Sequence, residues 1–526
     1  MSSAAVPARS IAAVCCIAAP VLFGLYALTL GQDANWDLQN YHWYNPYAFL
    51  TGRLDQDIAP AHVPTFYNPT LDIPFYLAAQ VLPARPLSFL LGTVQGLNFV
   101  LLYLIGASVF AGLAETERRV AALGVALVGV LGGGHLGLVG TTFYDNIISL
   151  CVLGAVAVVI GADRPGLKRL LCAGLLVGVG AGLKLPTAVF AIGLCAACLV
   201  IGATFQHRVL NAFVFGLGVL AGFAVFAGHW TLHLWTAYGN PVFPYFNGLF
   251  ESAMGLPASY RDTRFVPLSA GEAALFPLLM AFDPSETGEI AFRDWRIAAA
   301  YLAALLTPVL MLLKGRVARD PSALNTPAVI YICAAMAASY AVWLGLFGIY
   351  RYLIPLEMLS PLIVVAVTSY WPGPVRFKTN LAIALMALLV VTAKPGTWGR
   401  VPFSETFVTS VPPHIPNPAS ALVLMAGHTP TAWVIPSFPP EASFVRIQGF
   451  INHPSDGDTG LNVTIRQRIS THTGDIYMLS AVAERTLAQS VLAAYGLTLT
   501  PECSAVVGNL APGIEFCTVR HMEDAS

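Results

Sequence analysis

Long apolar runs alternate with short polar connectors over most of this chain. They fall near 11–31, 87–112, 120–138, 147–162, 170–183, 186–203, 209–228, 297–313, 327–347, 352–370 and 380–393. A helix of roughly 20 apolar residues spans the hydrocarbon core of a bilayer, so the pattern predicts about eleven transmembrane helices. The shortest pair of runs meets at Gly182-Leu183-Lys184-Leu185-Pro186, where the lysine and proline predict a tight turn at one membrane face. After Lys394 the pattern changes. Pro-rich connectors (Val411-Pro412-Pro413-His414-Ile415-Pro416) lead into ordinary amphipathic sequence. Short strands are predicted at 421–425, 431–435 and 443–447, and a helix from Ala481 to Tyr495, where Val482, Leu487, Val491 and Leu492 share one face. The expected fold is an all-α polytopic membrane bundle over 1–393, with outer loops 32–86 and 229–296, and a small extracytoplasmic α/β domain over 394–526.

Composition agrees. The chain is 56% hydrophobic and 10% charged, with a mean hydropathy of +0.68, whereas soluble domains carry about 25% charged residues. A net charge of -1 supplies no basic face for a run of phosphates, so nucleic acid is set aside as a partner and membrane lipids are expected. Gly132-Gly133-Gly134 lacks the spacing and strand-to-helix context of a nucleotide-binding loop.

Sidedness follows from the basic loops. If Arg9 is cytoplasmic and every run crosses once, then Arg118-Arg119, Arg164 with Lys168-Arg169, Arg208, Lys314-Gly315-Arg316 with Arg319, and Arg376 with Lys378 all fall inside, as the positive-inside rule requires. The segment after the first run, the 229–296 loop and the tail then face outward. The first run is long and ends without a small-residue cleavage site, which favours a retained helix over a cleaved leader. Ala/Gly/Leu-rich spans point to a bacterial inner membrane. Seven of nine cysteines lie in apolar spans as small core residues; Cys503 and Cys517 in the tail are a candidate disulfide, with two free thiols as the alternative.

The segment from Gly31 to Asp72 holds five aspartates, Asp33, Asp37, Asp55, Asp57 and Asp72, among many aromatic residues. Acids at the membrane boundary are costly unless solvated, paired or used. Asp33, Asp55, Asp57 and Asp72 are expected to be solvated loop acids, Asp33 being the alternative to Asp37 for a chemical role. Trp36, Tyr41, Trp43, Tyr44 and Tyr47 fit an interfacial aromatic belt first and sugar stacking second. His229 and His233 have i, i+4 spacing without the glutamate of a metalloprotease helix, so a capping pair is expected rather than a metal site. Asn462-Val463-Thr464 is a glycosylation sequon by pattern only.

Trp36-Asp37-Leu38-Gln39-Asn40-Tyr41, followed by an amphipathic stretch to Thr51-Gly52-Arg53, resembles the first outer loop of GT-C-fold glycosyltransferases, a group that includes the protein O-mannosyltransferases and the lipid A aminoarabinose transferases. Relatives commonly carry Asp-Glu here; in this chain Leu38 stands in the second position. Thr142-Phe143-Tyr144-Asp145-Asn146, Gly182-Leu183-Lys184-Leu185-Pro186-Thr187, Tyr238-Gly239-Asn240-Pro241-Val242-Phe243-Pro244 and Tyr350-Arg351-Tyr352-Leu353-Ile354-Pro355 extend the resemblance to about residue 393. It implies a polyprenyl-phosphate sugar donor and a lipid, glycan or protein acceptor. Such a transfer needs a general base on the acceptor hydroxyl and a cationic cradle for the departing phosphate, either basic side chains or a divalent cation. Asp37 is the expected base, Asp145 orients hydroxyls, Lys184 and Arg351 hold the phosphate, and Tyr41, His42 and Tyr352 bind substrate.

Other classes share parts of this pattern. A polysaccharide polymerase or ligase would use Arg261, Arg264, Arg293 and Arg296 of the large loop on lipid-linked glycans. A secondary transporter would show broken helices and an internal repeat. A non-catalytic scaffold would tolerate loss of both Asp37 and Asp145.

Overall fold

The computed structural model describes residues 8–314 and 323–522; Arg316 and Arg319 of the expected inner loop lie outside them. Each of the eleven apolar runs is helical. Among the described residues, six helices are long and apolar enough to cross a membrane by length and composition: Ile11–Leu30, Ala84–Val109, Phe205–Tyr238, Thr326–Leu346, Tyr350–Thr368 and Val375–Thr392. The other runs give shorter helices, among them Asp145–Ile160 and Leu167–Leu183. The apolar pattern did not predict the helix at Ala270–Phe282, whose backbone starts at Ser269 with its hydroxyl accepting from Glu272 N.

Two compact units are assembled from discontinuous segments. One comprises residues up to 30, 88–226 and 262–398; the other 31–87, 227–261 and 399 onward.

In the first unit, Tyr350–Thr368 is the most enclosed of the six long helices, and the Ile354–Thr368 helix packs against those at Arg296–Lys314 and Glu115–Val130. Small residues let other helices approach closely. A Cβ on Gly174 or Gly178 would collide with the backbone of Phe215 or Val219, and one on Gly218 or Gly222 with the backbone of Leu171 or Leu175. In a membrane, where burial supplies no drive between helices, such close backbone contact is what holds a pair together. The Leu167–Leu183 helix ends at Lys184, which is extended (φ -144°, ψ 106°), and a 3-10 turn over Leu185–Thr187 follows. The predicted tight turn is therefore present.

The triple glycine also finds its reason here. Gly133 N donates to Asp294 Oδ2 at 2.7 Å, and Gly134 N and His135 N donate to Glu357 at 3.0 and 2.9 Å. A Cβ on Gly134 would sit 2.6 Å from Glu357 Oε2. Tyr350 OH donates to the same carboxylate at 2.8 Å. Arg296, fully buried, pairs with Asp294 and donates to the carbonyls of Val128 and Leu131. This network serves architecture, because every acid in it is occupied by backbone amides, Arg296 or a tyrosine.

In the second unit, β1 (Gln32–Asp33) pairs antiparallel with β2 (Arg400–Val401). A six-stranded mixed sheet is built from β3 (Ser410–Val411), β4 (Leu422–Met425), β5 (Ser443–Arg446), β6 (Ile476–Ala481), β7 (Leu497–Gly508) and β8 (Ile514–His521), in the order β3-β7-β8-β6-β4-β5. β4 runs parallel to β5 and β6, with Leu422 opposite Ser443 and Ile476; the remaining pairs are antiparallel. Leu422, Leu424 and Met478 of the sheet share one core with Leu461, Ile465 and Ile469 of the Gly460–Ser470 helix and with Ala488, Val491 and Leu492 of the Arg485–Ala493 helix. Two of the three predicted strands form. The third, at 431–435, is instead part of a 3-10 segment, Ala432–Ser437, containing Pro436, which has no N–H to offer a strand ladder. Cys503 and Cys517 face each other across β7 and β8 and are disulfide-bonded. Asn462 of the sequon is fully buried and donates to the carbonyls of His453 and Gly457.

Candidate functional site

Within the first unit, three of the motifs read from the sequence converge on one charged cluster. Asp145 opens the Asp145–Ile160 helix after Tyr144, which holds φ +64°, a conformation uncommon outside glycine. An acid in the first helical turn is favoured by the helix dipole. Its Oδ1 accepts from Lys184 Nζ at 2.6 Å and its Oδ2 from Arg351 Nη1 at 3.2 Å. Arg351 also forks onto Glu289, with Nε to Oε2 at 2.6 Å and Nη2 to Oε1 at 3.0 Å. Lys184 makes a further bond to the carbonyl of Phe143 at 2.6 Å.

Two aromatic rings complete the arrangement. The Phe143 ring lies 4.0 Å from the Arg351 guanidinium, and Tyr352 is 5.4 Å from Lys184 Nζ and 5.6 Å from Arg351. Two acids thus balance two cations. The Asp145 and Arg351 side chains are 6% and 5% exposed, so little water screens the attraction. Burial pushes the Glu289 carboxyl up, but Arg351, with Arg264 and Lys184, outweighs it and holds that carboxyl below its ordinary range. Lys184 and Arg351, expected to hold a phosphate, are both paired with Asp145, and Asp145, expected to orient hydroxyls, holds the two cations.

The second unit carries the acid-rich segment. Asp37 precedes a five-residue π-helical turn, Leu38–His42, a rare conformation that is frequent at functional sites. The turn returns Tyr41 to Asp37, with Tyr41 OH donating to Oδ2 at 3.2 Å. His42 Nδ1 lies 2.6 Å from Asp72 Oδ1, with both side chains almost fully buried. A carboxylate at Nδ1 assigns the ring proton to that nitrogen and fixes the ring's orientation. The Tyr41 ring packs 4.0 Å from the His42 ring.

Several sequence expectations are corrected by these contacts. Asp33, Asp57 and Asp72 are buried rather than solvated; of the four acids assigned to solvent, Asp55 alone is exposed. Asp33 accepts from the Asn35 amide groups. Asp57 is held by Arg53 at 2.9 Å, Tyr44 OH at 2.8 Å and Phe444 N at 2.9 Å; burial pushes its carboxyl up in spite of Arg53. Tyr41, Trp43, Tyr44 and Tyr47 are core residues of this unit rather than a belt, leaving Trp36 exposed. His229 reaches Thr70 Oγ1 at 3.3 Å and His233 packs on Trp230. Arg296, considered for glycan binding, is consumed by Asp294 and backbone carbonyls. Cys503, Cys517 and Glu515 bring metal-ligand atoms together, but the sulfurs are bonded to each other and offer no thiolate.

Sequence reasoning missed Glu289 and the partnership of Asp72. Glu289 lies in an irregular loop between Thr287 and Phe292 with no motif around it. Asp72 follows Asn68-Pro69-Thr70-Leu71, a turn-like stretch that reads as solvent-facing. Asp37, Tyr41 and His42 belong to one unit, and Asp145, Lys184, Arg351 and Tyr352 to the other.

Fold and composition define a multi-pass membrane protein that also carries a mixed-sheet unit. No family model and no curated protein matches the chain. Among solved structures it is similar to the crystal structure of the Archaeoglobus fulgidus oligosaccharyltransferase in the apo form, at 12% identity and a TM-score of 0.45, over 91% of this chain and 71% of that one. A likeness at that score carries no argument.

Proposed function

We propose that this chain is a GT-C-like glycosyltransferase that moves a sugar from a polyprenyl-phosphate donor to an acceptor on the extracytoplasmic face, inverting the anomeric centre in one displacement. In this reading eleven spans over 1–393, with loops 32–86 and 229–296, form the catalytic part, and 394–526 is an extracytoplasmic domain. The N-terminus is cytoplasmic and the membrane a bacterial inner one. As the acceptor oxygen attacks C1, its proton passes to Asp37. The C1–O bond breaks with its electron pair going to the phosphate. Lys184 and Arg351 stabilise that phosphate, with Asp145 and Glu289 keeping both cations oriented. Tyr41, His42 and Tyr352 contact substrate.

The observation that carries this reading is the meeting of three sequence-distant motifs, around Asp145, Lys184 and Arg351, in one cluster at helix ends. Cations presented beside apolar helices suit a phosphate delivered by its lipid tail, because preorganised charge in a poorly solvated place stabilises a departing anion strongly. The Asp37–Tyr41 contact on the π turn supports a carboxylate with a fixed direction.

The test is transfer by the purified protein in lipid, using radiolabelled polyprenyl-phosphate sugars and an envelope extract, for wild type and Asp37→Asn together. Loss of a general base lowers the rate roughly 10²- to 10⁴-fold. Equal transfer by both proteins would discard Asp37 as the base, and no transfer from any donor by folded wild type would discard the reading. Repeating the wild-type assay with a chelator reads out any need for a divalent cation.

A further inference from the structure

From Val209 to Phe250 the chain carries no Asp, Glu, Lys or Arg. The Phe205–Tyr238 helix takes up most of that stretch with 34 residues, which is about 51 Å at 1.5 Å per residue. The hydrocarbon core of a bilayer is only about 30 Å thick. One crossing therefore does not use up the helix. Its exposed face nevertheless stays apolar to the end: Leu217, Leu220, Ala224, Leu232 and Trp235 are exposed and share a sector of about 120° at 100° per residue. The opposite face of the same end, with Trp230 and Leu234, is packed in a core with Ile58 and Phe66. A helix that is apolar on both faces belongs inside a protein or inside a membrane.

The irregular stretch that follows has the same character. Leu232 and Trp235 are 63% and 52% exposed, and Phe246 and Leu249 are 52% and 75% exposed. The Phe250 ring lies 6.2 Å from that of Trp235 and links the two groups. The polar atoms here turn inward. Asn240, buried, donates to Tyr245 O at 2.9 Å and accepts from Val242 N at 3.0 Å. Asn247, also buried, donates to the carbonyls of Ser252 and Leu256 at 3.0 and 2.7 Å and accepts from Ser252 N at 3.1 Å. Ser252 Oγ donates to Tyr238 O in the last turn of the helix. Irregular backbone survives out of water only when its polar groups are met internally, and two buried asparagines and a serine meet them here.

An exposed apolar patch marks a membrane or a protein partner. Two observations select the membrane. The patch continues the exposed apolar face of a membrane-spanning helix without a break, and no charged residue rims it before Glu251, whereas a protein interface has a polar rim. Trp235 also suits the headgroup level, where tryptophan is enriched.

We propose that residues 232–250 form an interfacial foot. Leu232, Trp235, Phe246 and Leu249 lie in the leaflet at the Tyr238 end of the helix, and the chain returns to water at Glu251, which is exposed. The first part of the 229–296 loop is then a lipid-bound surface. This inference does not rest on the transferase reading.

The experiment uses the full chain in nanodiscs of phosphatidylethanolamine and phosphatidylglycerol, doped with a phospholipid bearing a diazirine on its acyl chain. Photolysis and peptide mapping locate lipid adducts, and hydroxyl-radical footprinting of the same particles reads water contact. Acyl adducts are expected within 232–235 and within 246–249. Oxidation is expected to be lost at Trp235 and Phe246 but retained at Val507 of β7, which is exposed in the sheet. Adducts that end before Phe246, or oxidation of Trp235 and Phe246, would overturn the proposal. Protection from radicals without acyl adducts would overturn it too, and would assign the patch to a second copy or another protein.

Discussion

Arg351 and Arg446 are both nearly sealed from solvent, at 4% and 0% exposure, and they are held in opposite ways. Arg351 is met by two carboxylates, Asp145 and Glu289, whereas Arg446 is met by two carbonyls and a hydroxyl. Burial alone therefore does not describe a buried cation. Partial charges on carbonyls solvate a guanidinium without cancelling it, while carboxylates cancel it and become dependent on it in turn. The carbonyl arrangement leaves the guanidinium without a counter-ion, and the carboxylate arrangement fixes the direction in which Arg351 presents its charge.

That contrast can be broken most sharply by removing each guanidinium. Arg351→Met leaves Glu289 without its fork and Asp145 with Lys184 alone, and a loss of about 3–5 kcal/mol in denaturant unfolding is expected. Arg446→Met, at the more deeply buried position, should cost less, about 1–3 kcal/mol, because carbonyls lose donors but no carboxylate is abandoned. If the second loss equals or exceeds the first, the distinction between the two arginines fails.

Titration sharpens the comparison with smaller effects. Burial, with Arg446 and His428 adding to it, holds the His62 imidazole well below its ordinary 6.5. The unfolded chain then binds a proton that the folded chain does not, so this contribution is complete above pH 6.5 and declines as pH falls toward the lower folded value. His62→Asn should flatten Tm against pH in that interval. Glu289 provides the smallest effect. Its folded carboxyl lies below the ordinary 4.5, so its contribution is present above 4.5 and lost as pH falls through the folded value, and Glu289→Gln should remove only that acid limb.

Much of the helical architecture was legible because apolar runs in a membrane protein are long and uninterrupted, and each of the eleven forms helix. The Lys184-Leu185-Pro186 turn was readable from one proline and one charge. Asp145, Lys184 and Arg351 could be singled out because each sits in a motif that carries the resemblance to GT-C-fold glycosyltransferases. Their mutual pairing could not, since 39 and 206 residues separate Asp145 from its two partners and nothing local encodes a long-range contact. Glu289 was invisible for the same reason. The aspartates of the first polar segment misled because an acid in a turn-rich stretch looks solvated until the tail is known to fold onto it: Phe444 N, donating to Asp57, lies 387 residues away. Pro436 was the available warning against a strand at 431–435.

The close-packed glycine seam between the Leu167–Leu183 and Phe205–Tyr238 helices acts as a gauge for chain length in this molecule. Helix rotation advances about 100° per residue. A single residue inserted between Gly178 and Lys184 would swing the lysine to another face while the seam held its register, breaking the contact with Asp145. A residue inserted instead into the polar stretch at 161–166 would lengthen the connector ahead of the Leu167–Leu183 helix without moving either end of the gauge.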